Sequence, residues 1–259
     1  MIPKIIHFCW LSDDPLPASI QPCIDSWKRY MPDYKIKKWS THNFDIHSIP
    51  LVEQAFNARK YAFAADYIRC YALYTEGGIY LDSDVLIHKS LSSLLEGQRY
   101  VTGMEFHPVA RNLYKKQVDK NGYRRADVSE VMGIGLQAAV MASEPKHPLM
   151  KDCLEFYKDK TLETILYNHL LAPIVQAQCA EKYGYRYIGQ KQVLDEGIVI
   201  YPTSIIGQSN NELRGRYCSH LCKGSWVVKN KKQKLIFFLD NIGLYKRYIW
   251  LKDKLGLIK

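Results

Sequence analysis

The stretch NARKYAFAADYIRCYALYTEGGIYLDSDV, Asn57 to Val85, constrains the fold more than any other part of the chain. Asn57 to Gly78 is rich in Ala and Tyr, holds no proline and stops at Gly77-Gly78, which suits a helix ended by residues free to adopt left-handed backbone. Ile79, Tyr80 and Leu81 then read as a strand bounded by those glycines. A helix that leads at once into a buried strand points to alternating α and β elements and a layered α/β domain.

The rest of the chain fits that reading. Lys4 to Trp10 (KIIHFCW) alternates as a first strand, Ala18 to Pro32 reads as a helix with Ile20, Ile24 and Trp27 on one face, and Tyr34 to Trp39 alternates again. This strand–helix–strand order predicts a parallel pair joined by a right-handed crossover. Further strands are expected over Arg99 to Glu105, within GIGLQAAVMAS (Gly133 to Ser143), and at YRYIG (Tyr185 to Gly189) and GIVIYP (Gly197 to Pro202). Helices are expected in the later part of Glu144 to Asp159 and over Leu162 to Gln178, limited by Pro173. Asn112 to Asp127 reads as a polar surface excursion, and Ile205 to Trp226 as a loop with the makings of a mobile lid. The predicted fold is a single α/β domain with a mostly parallel sheet.

The chain has 259 residues, within reach of one large domain. Apolar residues are 47% and charged residues 24%, which excludes disordered and fibrous classes. The opening MIPKIIHFCWLSDDPLP lacks the basic and then long apolar regions of a signal peptide, and no apolar run approaches a membrane span. Seven scattered cysteines, with Cys218 and Cys222 the only close pair, argue against a zinc site and fit reduced thiols in a cytoplasm. Charge is uneven: Val228 to Lys259 carries nine Lys/Arg against two Asp, a net +7 of the chain's +10. The predicted division is therefore a body, 1–227, and a basic amphipathic helical tail, 228–259.

Four groups of residues carry possible chemistry. Asp82 and Asp84 end an apolar strand, where two carboxylates are costly unless a divalent cation, an arginine or bulk water meets them. Strand residues two apart face one side, so both could converge on a hard cation such as Mg²⁺ or Mn²⁺; the plain alternative is a solvated turn. Asp66 and Arg69 lie three apart on the preceding helix and share a face. They form either a surface pair contributing about 0.3–0.5 kcal/mol or, in so apolar a helix, a polar clamp for hydroxyl groups. Trp10, at the end of the first strand, is placed to stack on a flat ring in the crevice beyond a sheet's carboxyl edge, or to pack as a core residue. His220, Ser225 and Trp226 stand in the late Gly-containing segment HLCKGSW.

Taken together, IPKIIHFCW, AFAADYIRCYALYTEGGIYLDSDV and HLCKGSW resemble the glycosyltransferases with the DXD sugar-binding motif. This family includes the yeast initiating α-1,6-mannosyltransferase and bacterial capsule enzymes, with clostridial glucosylating toxins as distant relatives. The central block follows the family pattern A-x-x-x-D-x-x-R-x-x-x-L-x-x-x-G-G-x-Y-x-D-x-D, and the resemblance spans roughly Ile2 to Trp226. It implies a GT-A fold, a Rossmann-like mostly parallel sheet flanked by helices. It also implies a nucleotide-sugar donor, a saccharide acceptor and Mn²⁺ or Mg²⁺ as cofactor. By that similarity Asp84 would bind the metal, Asp82 would reach it or the ribose, and His220 would be the late metal or diphosphate contact. Asp66 and Arg69 would hold sugar hydroxyls, Tyr80 and Gly78 would line the donor pocket, Trp10 would stack on the base, and Ser225 with Trp226 would close a flap. Two departures stand out. The family's asparagine in the strand before EPKHP falls near Ala138, with Gln137 beside it, and the usual Gly-Pro becomes Ala172-Pro173.

What the resemblance implies is a metal-dependent retaining transfer of a hexose, from UDP with galactose as a guess, to an acceptor that is lipid-linked in capsule or lipopolysaccharide assembly. The tail places Leu244, Tyr248, Leu251 and Leu255 at helical spacing among lysines. It reads either as a helix packed on the body or as one that lies on anionic lipid at the inner face of the cytoplasmic membrane. Two rival functions remain open. A haloacid-dehalogenase-like phosphatase also uses Asp-x-Asp, but expects Thr or Val where Leu86 stands. A basic nucleic-acid or membrane binder fits the tail, yet no stacking motif is present, so no nucleic acid is expected.

Overall fold

The structure, a computed structural model, describes residues 1–106, 113–208 and 216–222. The chain opens with β1 (Ile5–Cys9), α1 (Gln21–Tyr30) and β2 (Lys35–Trp39), and the two strands pair in parallel as expected. Next come α2 (Pro50–Asn57), α3 (Tyr61–Glu76) and β3 (Gly78–Leu81). After a turn follow β4 (Val85–Ile87), the one-turn α4 (Ser92–Leu95) and β5 (Tyr100–Phe106). The second half holds β6 (Ile134–Ser143), α5 (Pro148–Lys158), α6 (Leu162–Tyr167), α7 (Ala172–Glu181), β7 (Gln192–Leu194), β8 (Ile198–Tyr201), β9 (Ile206–Gln208) and β10 (Cys218–His220).

Seven strands form the main sheet in the order β2-β1-β3-β6-β5-β8-β7, and β4-β10-β9 form a small second sheet. β1, β2, β3, β5 and β8 run one way, while β6, in the middle, is antiparallel to both neighbours and edge strand β7 is antiparallel to β8. The expected α/β, mostly parallel sheet is therefore found by strand direction. Every residue of β6 is buried, as a central strand covered on both faces requires. One face carries α2, α3, α5 and α7 over Ile68, Leu73, Leu149 and Val175. The other carries α1 and the small sheet over Ile6, Trp27, Ile79 and Val85. Side chains so fully buried contribute about 1.5–3 kcal/mol each by removal from water. This is the layered arrangement that the resemblance implies, a mostly parallel sheet flanked by helices.

Several local expectations need correction. The helix read from Asn57 begins at Tyr61, and α2 precedes it as a separate element with Pro50 in its first turn. The span 162–178 divides at Pro173, which lacks an amide hydrogen and sits in the first turn of α7. Tyr185 to Gly189 forms no strand: buried Tyr185 and Tyr187 meet edge to face at 4.9 Å, so the alternation reflects packing. The expected loop 205–226 contains β9 and β10, with 209–215 and 223–226 outside the described residues. The expected tail domain, 228–259, also lies outside the described residues.

The join between α3 and β3 is set by His7 and two glycines. The Trp39 indole can only donate, and it donates to His7 Nδ1 at 3.1 Å. His7 therefore carries its proton on Nε2 and donates it to the Gly77 carbonyl at 2.7 Å. Burial lowers the His7 pKa, which keeps this neutral tautomer. Gly78 has φ +104°, and a Cβ there would meet the Ile5 carbonyl oxygen at 2.6 Å and His7 Nε2 at 3.2 Å. The reading of Gly78 as a donor-pocket residue is thus corrected: it lets β3 lie close against β1 and is not in the cleft lining. Gly78→Ala is expected to destabilise the protein by about 1–3 kcal/mol in urea unfolding. Unchanged stability would show that β3 does not need a glycine against β1.

Candidate active site at the carboxyl edge of the sheet

β1, β3 and β5 are co-directional, so their carboxyl ends open on one edge, where open α/β sheets present their crevice. A cleft of about 620 Å³ lies there. Trp10 follows β1, Asp82 and Asp84 follow β3, Glu105 is the penultimate residue of β5, and Ala138 and Ala139 come from β6. α3 contributes Asp66 and Arg69, and β10 contributes His220.

The two aspartates converge, though not by strand pleating. They occupy the turn between β3 and β4, where the Asp82 amide donates to the Ala139 carbonyl at 2.9 Å and the Val85 amide to the Asp82 carbonyl at 2.9 Å. The Leu221 amide donates to the Asp84 carbonyl at 3.1 Å, which ties the turn to the strand carrying His220. His220 Nε2 lies 3.2 Å from Asp84 Oδ1 and 3.9 Å from Asp82 Oδ2. One ligand atom from each of the three residues lies within 4.8 Å of the others. Two carboxylate oxygens and an imidazole nitrogen are a donor set that fits a divalent cation.

Electrostatics point the same way. Burial opposes a charge on His220, but Cys222 and the Asp84 carboxylate outweigh it and hold the imidazole protonated well above its ordinary range. An environment that raises a buried histidine this strongly, with the Asp84 carboxylate beside it, would favour a cation in the same place. The first turn of α7, with Ala172 and Pro173 on the cleft wall and no acidic residue, presents the positive end of a helix dipole, which suits an anionic ligand beside such a cation.

Arg69 is nearly buried and its guanidinium is already engaged. Nε donates to the Ala65 carbonyl at 3.1 Å and Nη1 to the Ala138 carbonyl at 2.6 Å. Nη2 lies 2.9 Å from Asp66 Oδ1 and 3.5 Å from Asp82 Oδ1, and the group stacks over the Tyr80 ring at 4.9 Å. The Tyr80 hydroxyl donates to Asp82 Oδ1 at 3.1 Å. Arg69 thus positions Asp66, Asp82 and Tyr80 around the cleft, and that leaves Asp66 as the member of the pair suited to accept a ligand hydroxyl. Burial, aided by the nearby Asp82 charge and opposed by Arg69, pushes the Asp66 carboxyl up to about 7. Trp10 is half-buried on the wall with its indole N–H donating to the Asp14 carbonyl at 2.7 Å, which fixes the ring.

Where the family's asparagine was expected, Ala138 lines the cleft without a polar side chain. Gln137 is fully buried outside the lining, its amide atoms lacking a hydrogen-bond partner. Ser225 and Trp226 lie outside the described residues. Sequence reasoning missed Glu105, a cleft carboxyl that burial pushes up to about 7, with Asp82 raising it further and His220 opposing. Its signal was available: a lone acid closing the apolar strand YVTGME, the same sign that singled out the Asp pair. Cys9 also faces the cleft, but burial lifts its thiol to about 12 and keeps it neutral.

Comparison with known proteins agrees. Residues 17–101 match the family model described as "Glycosyltransferase sugar-binding region containing DXD motif". This span holds Asp66, Arg69, Tyr80, Asp82 and Asp84, the residues that carry the resemblance to glycosyltransferases with this sugar-binding region. Inositol phosphoceramide mannosyltransferase 2 of Schizosaccharomyces pombe (strain 972 / ATCC 24843) is 31% identical over 156 residues, covering 57% of this chain and 36% of the relative. Inositol phosphoceramide mannosyltransferase 3 of the same organism is 33% identical over 108 residues, covering 39% of this chain and 29% of the relative. The chain therefore spans no more than 36% of the length of these two relatives. Among solved structures, the PaToxG glycosyltransferase aligns with a TM-score of 0.46 at 19% identity, over 70% of this chain and 69% of that one.

Two outcomes test the electrostatics. Arg69→Met leaves the half-buried Asp66 and Asp82 carboxylates without their cation and is expected to cost about 3 kcal/mol in urea unfolding, the lower end for a broken buried pair. In the metal-free protein, Glu105 binds its proton more tightly folded than unfolded. Stability should therefore fall as pH rises from about 4.5 to about 7, and Glu105→Gln should flatten that slope. A variant whose pH profile matches wild type would show that Glu105 is not held in a desolvated site.

Proposed function

We propose that this chain is a metal-dependent, retaining hexosyltransferase that moves a sugar from a nucleoside-diphosphate donor to a saccharide acceptor. The observation that carries the reading is the Asp82–Asp84–His220 cluster in a cleft that also holds Trp10 and the Arg69-positioned Asp66. Bound there, Mn²⁺ or Mg²⁺ would neutralise the charge that develops on the departing diphosphate. The protein's own groups do the rest. Trp10 stacks on the base, Asp66 accepts a hydrogen bond from a donor hydroxyl, and Arg69 with Tyr80 holds Asp82 in place. The walls built from Ala62, Phe63, Ala138, Ala139 and Pro173 keep water from the reacting carbon.

In the proposed step the bond from the anomeric carbon to the diphosphate oxygen breaks. A bond from that carbon to the acceptor hydroxyl oxygen forms on the same face, and the hydroxyl proton passes to the diphosphate. Fixed charges aimed at the leaving group supply the stabilisation, so no protein acid has to protonate it. We further propose a UDP-hexose donor, galactose from the sequence reading standing beside the mannose of the relatives' names. The proposed acceptor is lipid-linked, within surface polysaccharide assembly. No helix among the described residues is long and apolar enough to cross a membrane. The proposed location is cytoplasmic, with the basic segment 229–259 touching the inner face of an anionic membrane.

A thermal-shift series decides the core of this reading. UDP, GDP and UDP-hexoses are each tested with Mn²⁺ or with EDTA on wild type and Asp84→Ala. A nucleotide at 100 times its dissociation constant adds about 2.7 kcal/mol of stability. One UDP-hexose should stabilise wild type with Mn²⁺ only, and Asp84→Ala should lose the effect. Stabilisation that ignores EDTA would refute the metal-dependent donor site.

A further inference from the structure

Eight large apolar residues are exposed among those described, and three of them, Leu166, Tyr167 and Leu171, fall where α6 turns into α7. Tyr167 is 83% exposed, Leu171 43% and Leu166 39%. Single exposed apolar residues are ordinary, whereas a cluster beside a cleft asks for a ligand. The cluster is not a frayed end. Leu162 and Ile165 take the buried positions of α6, and the Leu170 amide closes back on the Ile165 carbonyl at 3.0 Å. His169 holds the corner in left-handed backbone, with φ 52°. Leu171 itself forms part of the cleft wall.

A second corner lines the same cleft. Arg59, between α2 and α3, has φ 55° and an amide bonded to the Phe56 carbonyl at 2.9 Å. Its guanidinium is exposed and makes no ion pair or hydrogen bond with a described residue. α6 packs on α2, with the Leu162 amide donating to Gln54 Oε1 at 3.0 Å, which keeps the two corners on one side of the molecule.

We propose that this mouth binds the far end of the acceptor: an apolar chain on Leu166, Tyr167 and Leu171, and an anionic phosphate beside Arg59. The inference rests on the transferase reading and deepens it by naming the acceptor's chemistry. A purely polar saccharide gains little from an exposed tyrosine and two leucines, while an alkyl chain is removed from water there. An unpaired guanidinium suits a phosphate, which it can grip with two parallel hydrogen bonds. Inside, the cleft is lined by Asp66, Asp82, Asp84 and Glu105, which repel a second anionic group. Charge therefore orients the acceptor, its sugar inward and its phosphate and chain at the rim.

Titration calorimetry on the full chain tests this with octyl phosphate, octyl glucoside and inorganic phosphate, each below any micelle-forming concentration. Wild type should bind octyl phosphate at least about ten-fold tighter than either control, the scale of one charge-assisted contact. Arg59→Ala should reduce octyl phosphate to the level of octyl glucoside. The surface pair Tyr167→Ser and Leu171→Ser should weaken both alkyl ligands. Octyl phosphate that binds no better than inorganic phosphate, or equally well in these variants, would overturn the proposal. So would variant-sensitive binding to phosphatidylglycerol vesicles without binding of the monomeric amphiphile, which would make the ledge a bilayer contact. A UDP-hexose thermal shift on the same wild-type preparation separates the two readings. Octyl phosphate binding without it would sink the transferase, and the converse would sink the acceptor site alone.

Discussion

A single buried guanidinium organises the cleft. Arg69 is rooted on α3 by its own helix, through Ala65 and Asp66, and reaches β6 through the Ala138 carbonyl and the DXD turn through Asp82. A charge this deep is tolerable only if its hydrogen-bond donors are met, and here two backbone carbonyls and two carboxylates meet them. The same contacts fix the spacing between helix, central strand and turn. The acids that face a ligand are therefore held by a group that itself is mostly spoken for. This division of labour differs from a clamp in which both members of the Asp66–Arg69 pair touch the substrate.

Sheet topology explains why these groups meet at all. Co-directional β1, β3 and β5 deliver Trp10, the Asp pair and Glu105 to one edge, and antiparallel β6 inserts its middle, Ala138 and Ala139, between two of them. The turn after β3 then leaves the main sheet and enters the small one, where β10 pairs with β4 and brings His220 back to the aspartates. Trp10, the aspartates and His220 thus sit where the chain leaves a strand or changes sheet, while Asp66 and Arg69 reach them from the middle of α3.

Much of this was legible in the sequence because it is local. The helix ending at Glu76, its glycine stop and the strand behind it follow from spacing and residue type, and the resemblance to the DXD glycosyltransferases adds the conjunction of Asp66, Arg69, Tyr80, Asp82 and Asp84. What escaped depends on distant partners. β4, β9 and β10 are three residues long, too short for periodicity to reveal, and exist because they complete one another across the chain. Asp82 and Asp84 were expected to converge through pleating, yet a turn pinned by the Ala139 carbonyl does it. Gly78 looked like part of the pocket because it neighbours the motif, while its actual constraint, the Ile5 backbone beneath it, lies across a strand pair. Glu105 was visible as a charge in an apolar strand but had no local partner to mark it.

The sequence distance between His220 and the aspartates has a consequence for how the protein matures. Nearly all of the described chain lies between Asp84 and His220 or before them, and the strand that carries His220 pairs with β4 across that whole separation. Such non-local pairing is the slow part of folding, since a long loop must close before any contact rewards it. The Asp82–Asp84–His220 cluster therefore forms only once β10 has been made and has docked on β4. A nascent or truncated chain that ends before β10 could bury most of its core and still lack the third member of that cluster.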